Sequence, residues 1–325
     1  MTDRPSPFPF NDILALLDEL PPMPSGTGCG GASTEDVSLP VPGGTLAGHA
    51  SWLARWQDGT TPRLRRPVVA VFAASHAGPA VSASGDSIAR IEEFVTASQA
   101  RTALVCRVCD RHGLGLRVFE LAPEIPVADF AAGAAMEEAD CAATMAYGME
   151  ATAGGADLLV LRACAAGHAA SVAAMAALLL GLREDGNDDA IAGLAARAEA
   201  VHRGHKSAPL EILRRAGGRE NAALAGAILA ARLQHVPVIL DGAGAVAAAV
   251  LLERLRPGAA AHCVIAAHDG HRDFDRLREA SGLPTVLAGC HLERDATAGA
   301  LAAAMMQTAV ELSAPARSET GTRPN

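Results

Sequence analysis

Chemistry in this chain has to come from a few polar side chains that follow apolar runs. Asp241-Gly242 stands directly after the run Val236–Leu240, where a carboxylate either hydrogen-bonds a ligand or caps the next helix. His76 lies in Ala74-Ser75-His76-Ala77-Gly78, again just past an apolar run. Such a histidine is either held by a backbone bond or exposed to a ligand as a proton carrier. His268, Asp269 and His271 are metal-ligating residue types, but three residues of one turn seldom complete a coordination sphere, so no metal is expected. Cys106-Arg-Val-Cys109 is a lone C-x-x-C without a second pair at zinc spacing. Seven scattered cysteines make no disulfide framework, and reduced core cysteines are the expectation.

These groups need elements to position them. Strands are expected at Val68–Ala73, Leu116–Leu121, Asp157–Leu161, Val236–Leu240 and Cys263–Ala266, each an apolar run with little alternation, as for strands covered on both faces. Helices are expected at Asp12–Leu20, Ile88–Arg111, Glu137–Met149, Ala169–Leu182, Ile191–Arg203 and Pro209–Arg215. Further helices are expected at Glu220–Gln234, Ala245–Arg254, Phe274–Ala280 and Thr297–Leu312. This alternation predicts a helix-rich α/β fold: three layers, α/β/α, around a mainly parallel, Rossmann-like sheet, with a small N-terminal helical part. Ligands of such sheets gather beyond the carboxyl ends of the strands. The segments to inspect are therefore 74–78, 162–168, 241–244 and 268–271.

Composition narrows the function classes. The chain of 325 residues is 50% hydrophobic but only 3% aromatic, so its core is built from small side chains, alanine above all. Net charge is −9 and Lys206 is the sole lysine, which argues against nucleic acid as a partner. The most apolar run, Ala169–Leu182, is too short to span a bilayer, and residues 1–10 show no basic-then-apolar signal pattern. A cytoplasmic protein without membrane contact is expected.

Several stretches are similar, in order, to the nicotinate-nucleotide:dimethylbenzimidazole phosphoribosyltransferase family. The strongest is Pro209-Leu-Glu-Ile-Leu-Arg-Arg-Ala-Gly-Gly-Arg-Glu220, continuing through Ala225-Gly-Ala-Ile-Leu-Ala-Ala-Arg-Leu233 into Pro237-Val-Ile-Leu-Asp-Gly242. Trp52-Leu-Ala-Arg-Trp-Gln57, Val81-Ser-Ala83, Ala128-Asp-Phe130, Gly133-Ala-Ala-Met136 and Gly155-Ala-Asp-Leu-Leu159 add to it. The resemblance covers most of the chain. It implies an α/β phosphoribosyltransferase-like domain over 49–312; from composition, a helix within 1–20 and a Pro-, Gly- and Ser-rich flexible loop or arm at 21–48 precede it, and a disordered tail at 313–325 follows. It further implies phosphoribosyl transfer from nicotinate mononucleotide to a benzimidazole-type base in cobalamin biosynthesis, with no cofactor. The partners implied are those small molecules and a second subunit, in a homodimer or a pair with a paralogue.

Ligand-facing motifs of that family are altered here. Its G-E-M-G-I-G-N-T-T stands as Arg162-Ala-Cys-Ala-Ala-Gly-His-Ala-Ala170, in which only Gly167 matches. Glycines there let backbone amides approach a phosphate, which bulkier residues obstruct. The G-R-G-T-G loop falls near the acidic Glu184-Asp-Gly-Asn-Asp-Asp189, and L-G-E-G-T-G-A falls at Leu292-Glu-Arg-Asp-Ala-Thr-Ala-Gly-Ala300. On this resemblance Glu293 is the nearest carboxylate to the general base. His76 and Ser82 stand beside the acceptor base, and Gly167, Asp241 and Gly242 near the nucleotide. Helices and strands are kept while loops change, which leaves two expectations open: a transferase, or a catalytically inactive relative that serves as a binding or partner subunit.

Overall fold

The computed structural model describes residues 9–24, 46–57, 62–181, 189–288 and 295–313. Its centre is a five-stranded parallel sheet of β1 (Pro67–Ser75), β2 (Gly115–Glu120), β3 (Leu158–Ala166), β4 (Val238–Asp241) and β5 (Cys263–Ile265), in the order β2-β1-β3-β4-β5. Thirteen α-helices surround it among the described residues. The first six are α1 (Pro9–Asp18), α2 (Leu46–Trp56), α3 (Gly78–Ser84), α4 (Ile88–Gln99), α5 (Leu104–His112) and α6 (Glu138–Met149). The others are α7 (His168–Leu180), α8 (Ala190–His202), α9 (Pro209–Ile212), α10 (Gly218–Leu233), α11 (Ala243–Leu255), α12 (Phe274–Ser281) and α13 (Thr297–Ser313).

Alternation along the strands divides the core in two. Ala70, Phe72 and Ala74 of β1 join a cluster with α1, α6, α7, α10 and α11, whereas Val69 and Val71 join Trp52, Trp56 and the buried faces of α5 and α13. Strands β1, β3, β4 and β5 are thus covered on both faces, as their apolar runs predict, while the edge strand β2 stays partly exposed. Cys106 and Cys109 of α5 are buried in the second cluster, and burial pushes the Cys109 thiol up to about 12, which leaves it a neutral core side chain.

The shortage of large side chains has a structural counterpart. Helices α6 and α10 touch backbone to backbone. A Cβ at Gly148 would lie 2.1 Å from the carbonyl oxygen of Ala223, and one at Gly226 would lie 1.9 Å from that of Met145. Alanine and glycine therefore supply stability through close approach rather than area per side chain.

Four elements differ from expectation. The single helix predicted over Ile88–Arg111 is two, α4 and α5, broken at 100–103 where Arg101 takes a φ of 61°. Strand β3 runs on to Ala166, so Arg162 lies within the sheet instead of after it. Gly78-Pro79 opens the short helix α3, with proline in its first turn, where a loop was expected. Helix α2 begins at Leu46, inside the stretch 21–48 expected to be an arm; residues 25–45 of that stretch, and 314–325 of the tail, lie outside the described residues.

Candidate functional site

The strand order makes β1 and β3 the point where the chain's winding reverses, and a crevice opens there at the carboxyl ends. His76 follows β1 and donates its backbone N–H to Ala166 of β3 at 2.9 Å. Gly167 then turns the chain into α7 with a φ of 85°. A side chain at Gly167 would meet the Cβ of His76 at 2.9 Å, so the two predicted residues are packed together.

Behind the crevice lies a buried acid. Glu220, in the first turn of α10, accepts hydrogen bonds on Oε1 from His76 Nε2 at 2.7 Å and from His168 Nδ1 at 3.0 Å. Burial alone would raise the Glu220 carboxyl, but the charge of His76 and the bonds from both histidines outweigh it and hold the group well below the usual carboxylate range. The three side chains are not equally enclosed: those of His76 and Glu220 have no exposure, whereas that of His168 is 21% exposed. Asn221, next along α10, donates to the carbonyl of Gly217 at 2.6 Å and closes the rear. Gly218 permits this packing. Its φ is 70°, and a Cβ there would fall 2.6 Å from His76 Nε2 and 2.8 Å from Glu220 Oε2.

A second polar layer joins β3 to β4. Arg162 and Asp241 are register partners on the adjacent strands, and Arg162 Nη1 donates to Asp241 Oδ1 at 2.9 Å. Asp241 Oδ2 accepts the N–H of Gly299 on α13 at 2.7 Å. Burial raises the Asp241 carboxyl above its ordinary value against the pull of Arg162 and of that amide. Asp241 does not cap α11. That role falls to Asp269, whose Oδ2 accepts the N–H of Ala243 at 2.5 Å while Oδ1 accepts that of His271 at 2.9 Å. Gly242, with a φ of 97°, leaves room for the Arg162 guanidinium, 2.6 Å from where its Cβ would stand.

In front of these layers is a cavity of about 420 Å³, within the range that holds a small-molecule ligand. Its wall includes Arg162 and Cys164 of β3, His168 and Ala169 of α7, Ser84, Asp86 and Arg90 near α3 and α4, and Asp269, His271 and Asp295. Burial raises the Cys164 thiol to about 11, so it presents a neutral sulfur. His271 spans backbone groups: Nε2 donates to the carbonyl of Ala169 at 3.0 Å and Nδ1 accepts the N–H of Asp273 at 3.1 Å. His268 Nδ1 accepts the N–H of Gly270 at 3.0 Å. Among the described residues no group of three or more histidine, cysteine or acidic side chains is placed to hold a metal ion.

The structure thus brings His76, Gly167, Asp241 and Gly242 together at the strand ends, one layer behind the cavity wall. Ser82 is exposed on α3 and stands outside that wall; Ser84, on the same helix, is the serine on it and accepts the N–H of Ala170 at 3.2 Å. Glu293 and the acidic stretch at 182–188 lie outside the described residues. Sequence reasoning missed Glu220 and His168 as site residues. Their only trace was that Glu220 ends the longest family-like stretch and His168 follows the one retained glycine.

A phosphoribosyltransferase family model matches residues 38–320. The chain belongs to the nicotinate-nucleotide–dimethylbenzimidazole phosphoribosyltransferase family. It is 39% identical over 94% of its length to the enzyme of that name from Sinorhizobium fredii, of which 94% is covered. It is 39% identical to that of Rhizobium etli, again with 94% of each chain covered. Among solved structures, a nicotinate-nucleotide–dimethylbenzimidazole phosphoribosyltransferase from Thermus thermophilus superposes with a TM-score of 0.75 at 25% identity, covering 95% of this chain and 96% of the other. Within this family, the present chain carries Arg162 and His168 on the cavity wall. No helix among the described residues is long and apolar enough to cross a membrane.

Proposed function

We propose that the chain transfers the phosphoribosyl group of nicotinate mononucleotide to a benzimidazole-type base in cobalamin biosynthesis, from a single domain spanning about residues 49–312. The observation that carries this reading is agreement with curated enzymes over 94% of both chains together with a cavity at the sheet's switch point. A nitrogen of the aromatic base forms a bond to the anomeric carbon as the bond to nicotinate breaks. The departing electron pair neutralises the positively charged pyridinium nitrogen, and the second nitrogen of the attacking base gives up its proton. Glu293 is the carboxylate that the family resemblance offers for that proton. In this reading His76, one layer behind the wall, and Ser82 belong to the acceptor-base side, and Gly167, Asp241 and Gly242 to the nucleotide side. Two copies are proposed to form a dimer, in the cytoplasm.

A second reading, a non-catalytic subunit pairing with itself or an active relative, is favoured by one feature. Both positions at which the β4 end could take up an anion are filled by the protein: Asp269 occupies the first amide of α11, and Arg162 is tied to Asp241. Release of nicotinate from the mononucleotide in the presence of dimethylbenzimidazole, followed chromatographically, decides between them. Turnover supports transfer. No turnover, with no heat of binding for either substrate, supports the partner subunit.

A further inference from the structure

The two histidines on Glu220 are chemically distinct, and the difference assigns a task. His76 is sealed: both it and Glu220 have no exposure, and its Nδ1 is buried without a hydrogen-bond partner in the structure. That ring serves the fold. His168 shares the same carboxylate oxygen but stands on the cavity wall. With Glu220 ionised, His168 Nδ1 carries the hydrogen that the carboxylate accepts, so Nε2 of the neutral ring holds a lone pair. A carboxylate that fixes the tautomer and balances the imidazolium is what a histidine base requires. The ring has one further restraint: a Cβ at Gly244, in the first turn of α11, would lie 2.5 Å from its Nε2.

We propose that His168, not Glu293, takes the proton from the acceptor base during phosphoribosyl transfer, with Glu220 as its positioning residue. The proposal rests on the transferase reading above. As one nitrogen of the aromatic base bonds to the anomeric carbon and nicotinate departs with the electron pair of the broken bond, His168 Nε2 removes the proton of the other nitrogen. The resulting imidazolium lies against the Glu220 carboxylate until the proton passes to solvent. Other charged groups reach the cavity from the surrounding elements: Arg162 from β3, Asp86 and Arg90 from the α3–α4 side, Asp269 and His271 from the segment before α12, and Asp295 before α13. Of these, Arg162 is bonded to Asp241 and His271 to the Ala169 carbonyl, which leaves His168, among the described residues, the wall imidazole whose Nε2 is not tied to a backbone carbonyl.

The test measures nicotinate release with dimethylbenzimidazole across pH for the full-length chain and for His168→Gln, Glu220→Gln, Glu293→Gln and Gly244→Ala. The expected results are a fall in kcat of about 10²- to 10⁴-fold for His168→Gln with KM nearly unchanged, and a change of less than about threefold for Glu293→Gln. Glu220→Gln is expected to lower kcat and to move the acid limb of the profile to lower pH, since the imidazolium loses its counter-charge; loss of structure alone does not move that limb. Gly244→Ala keeps every titrating group while displacing the ring, and is expected to lower kcat as well. Turnover that His168→Gln leaves within threefold of the parent chain overturns the assignment and leaves the transferase reading standing. Absence of turnover by the parent chain overturns both.

Discussion

The Arg162–Asp241 pair allows the sharpest test of how the strand ends are held. Asp241→Asn keeps the shape but removes the charge opposite Arg162, whose side chain is only 13% exposed, while Asp241 itself is 2% exposed. Removing one partner of such a buried pair leaves an uncompensated charge and costs about 3 to 5 kcal/mol. Arg162 retains some contact with the cavity, which places Asp241→Asn near the lower end, at about 3 kcal/mol. Arg162→Met strands the more deeply buried carboxylate and belongs near the upper end, at about 5 kcal/mol. At roughly 2 °C per kcal/mol for a chain of this length, the melting temperatures fall by about 6 and about 10 °C. The double variant Arg162→Met/Asp241→Asn leaves no stranded charge, so its loss is expected to be smaller than the sum of the two by at least about 2 kcal/mol. Denaturant unfolding of the four proteins closes the cycle. Additive losses, or a loss below about 1 kcal/mol for either single change, refute the view that this pair is an electrostatic unit.

Three further outcomes follow from packing and burial. Gly226→Ala drives a methyl group into the Met145 carbonyl and is expected to destabilise by at least about 1 to 3 kcal/mol, read as a drop in melting temperature. Gly193→Ala, inside α8 with nothing within 4 Å of the added Cβ, is expected to stabilise by about 0.5 to 1 kcal/mol in the same assay. Burial, aided by the nearby Arg232 charge, lowers His262 from 6.5 to about 3, so the unfolded chain takes up a proton there before the folded one does. Stability from this residue is complete above pH 6.5 and declines as pH falls from there toward 3, at about 1.4 kcal/mol per pH unit. Unfolding titrations between about pH 7 and 5 are expected to show that slope in the parent chain and to lose it in His262→Gln, whose amide can still donate to the Ile228 carbonyl that His262 now contacts.

Much of the scaffold was legible because its signals are local. Continuous apolar runs marked all five described strands, and the parallel sheet follows from strands covered on both faces. The errors share a physical cause. Arg162 ended the apolar run of β3 on paper, yet the strand continues because Asp241, 79 residues away, stands beside it in register and accepts its charge. The break between α4 and α5 carries no glycine or proline. A left-handed Arg101 and the burial of Val105, Cys106 and Cys109 of α5 on the sheet fix it instead. Asp241 looked like a helix cap from its position, and the cap came from Asp269 across the strand ends.

The site was harder to read for a related reason. Its heart is one carboxylate shared by histidines 144 and 52 residues away, and a glutamate in the first turn of a helix is ordinarily explained by the helix dipole alone. Burial changes that account. An ionised Glu220 with no exposure is costly unless it is paired, and its pairing falls on Oε1, which both histidines share, while Oε2 has no hydrogen-bond partner among the described residues; Gly218 and Gly244 both stand where any side chain would displace a histidine ring. Beneath the altered loops lies a layer in which a buried carboxylate is joined, through His168, to the cavity wall. A merely inert relative gains nothing from that layer, which apolar side chains of the same volume would replace at little cost in stability. A charged layer beneath a partly exposed imidazole is the reason to look for proton transfer at His168.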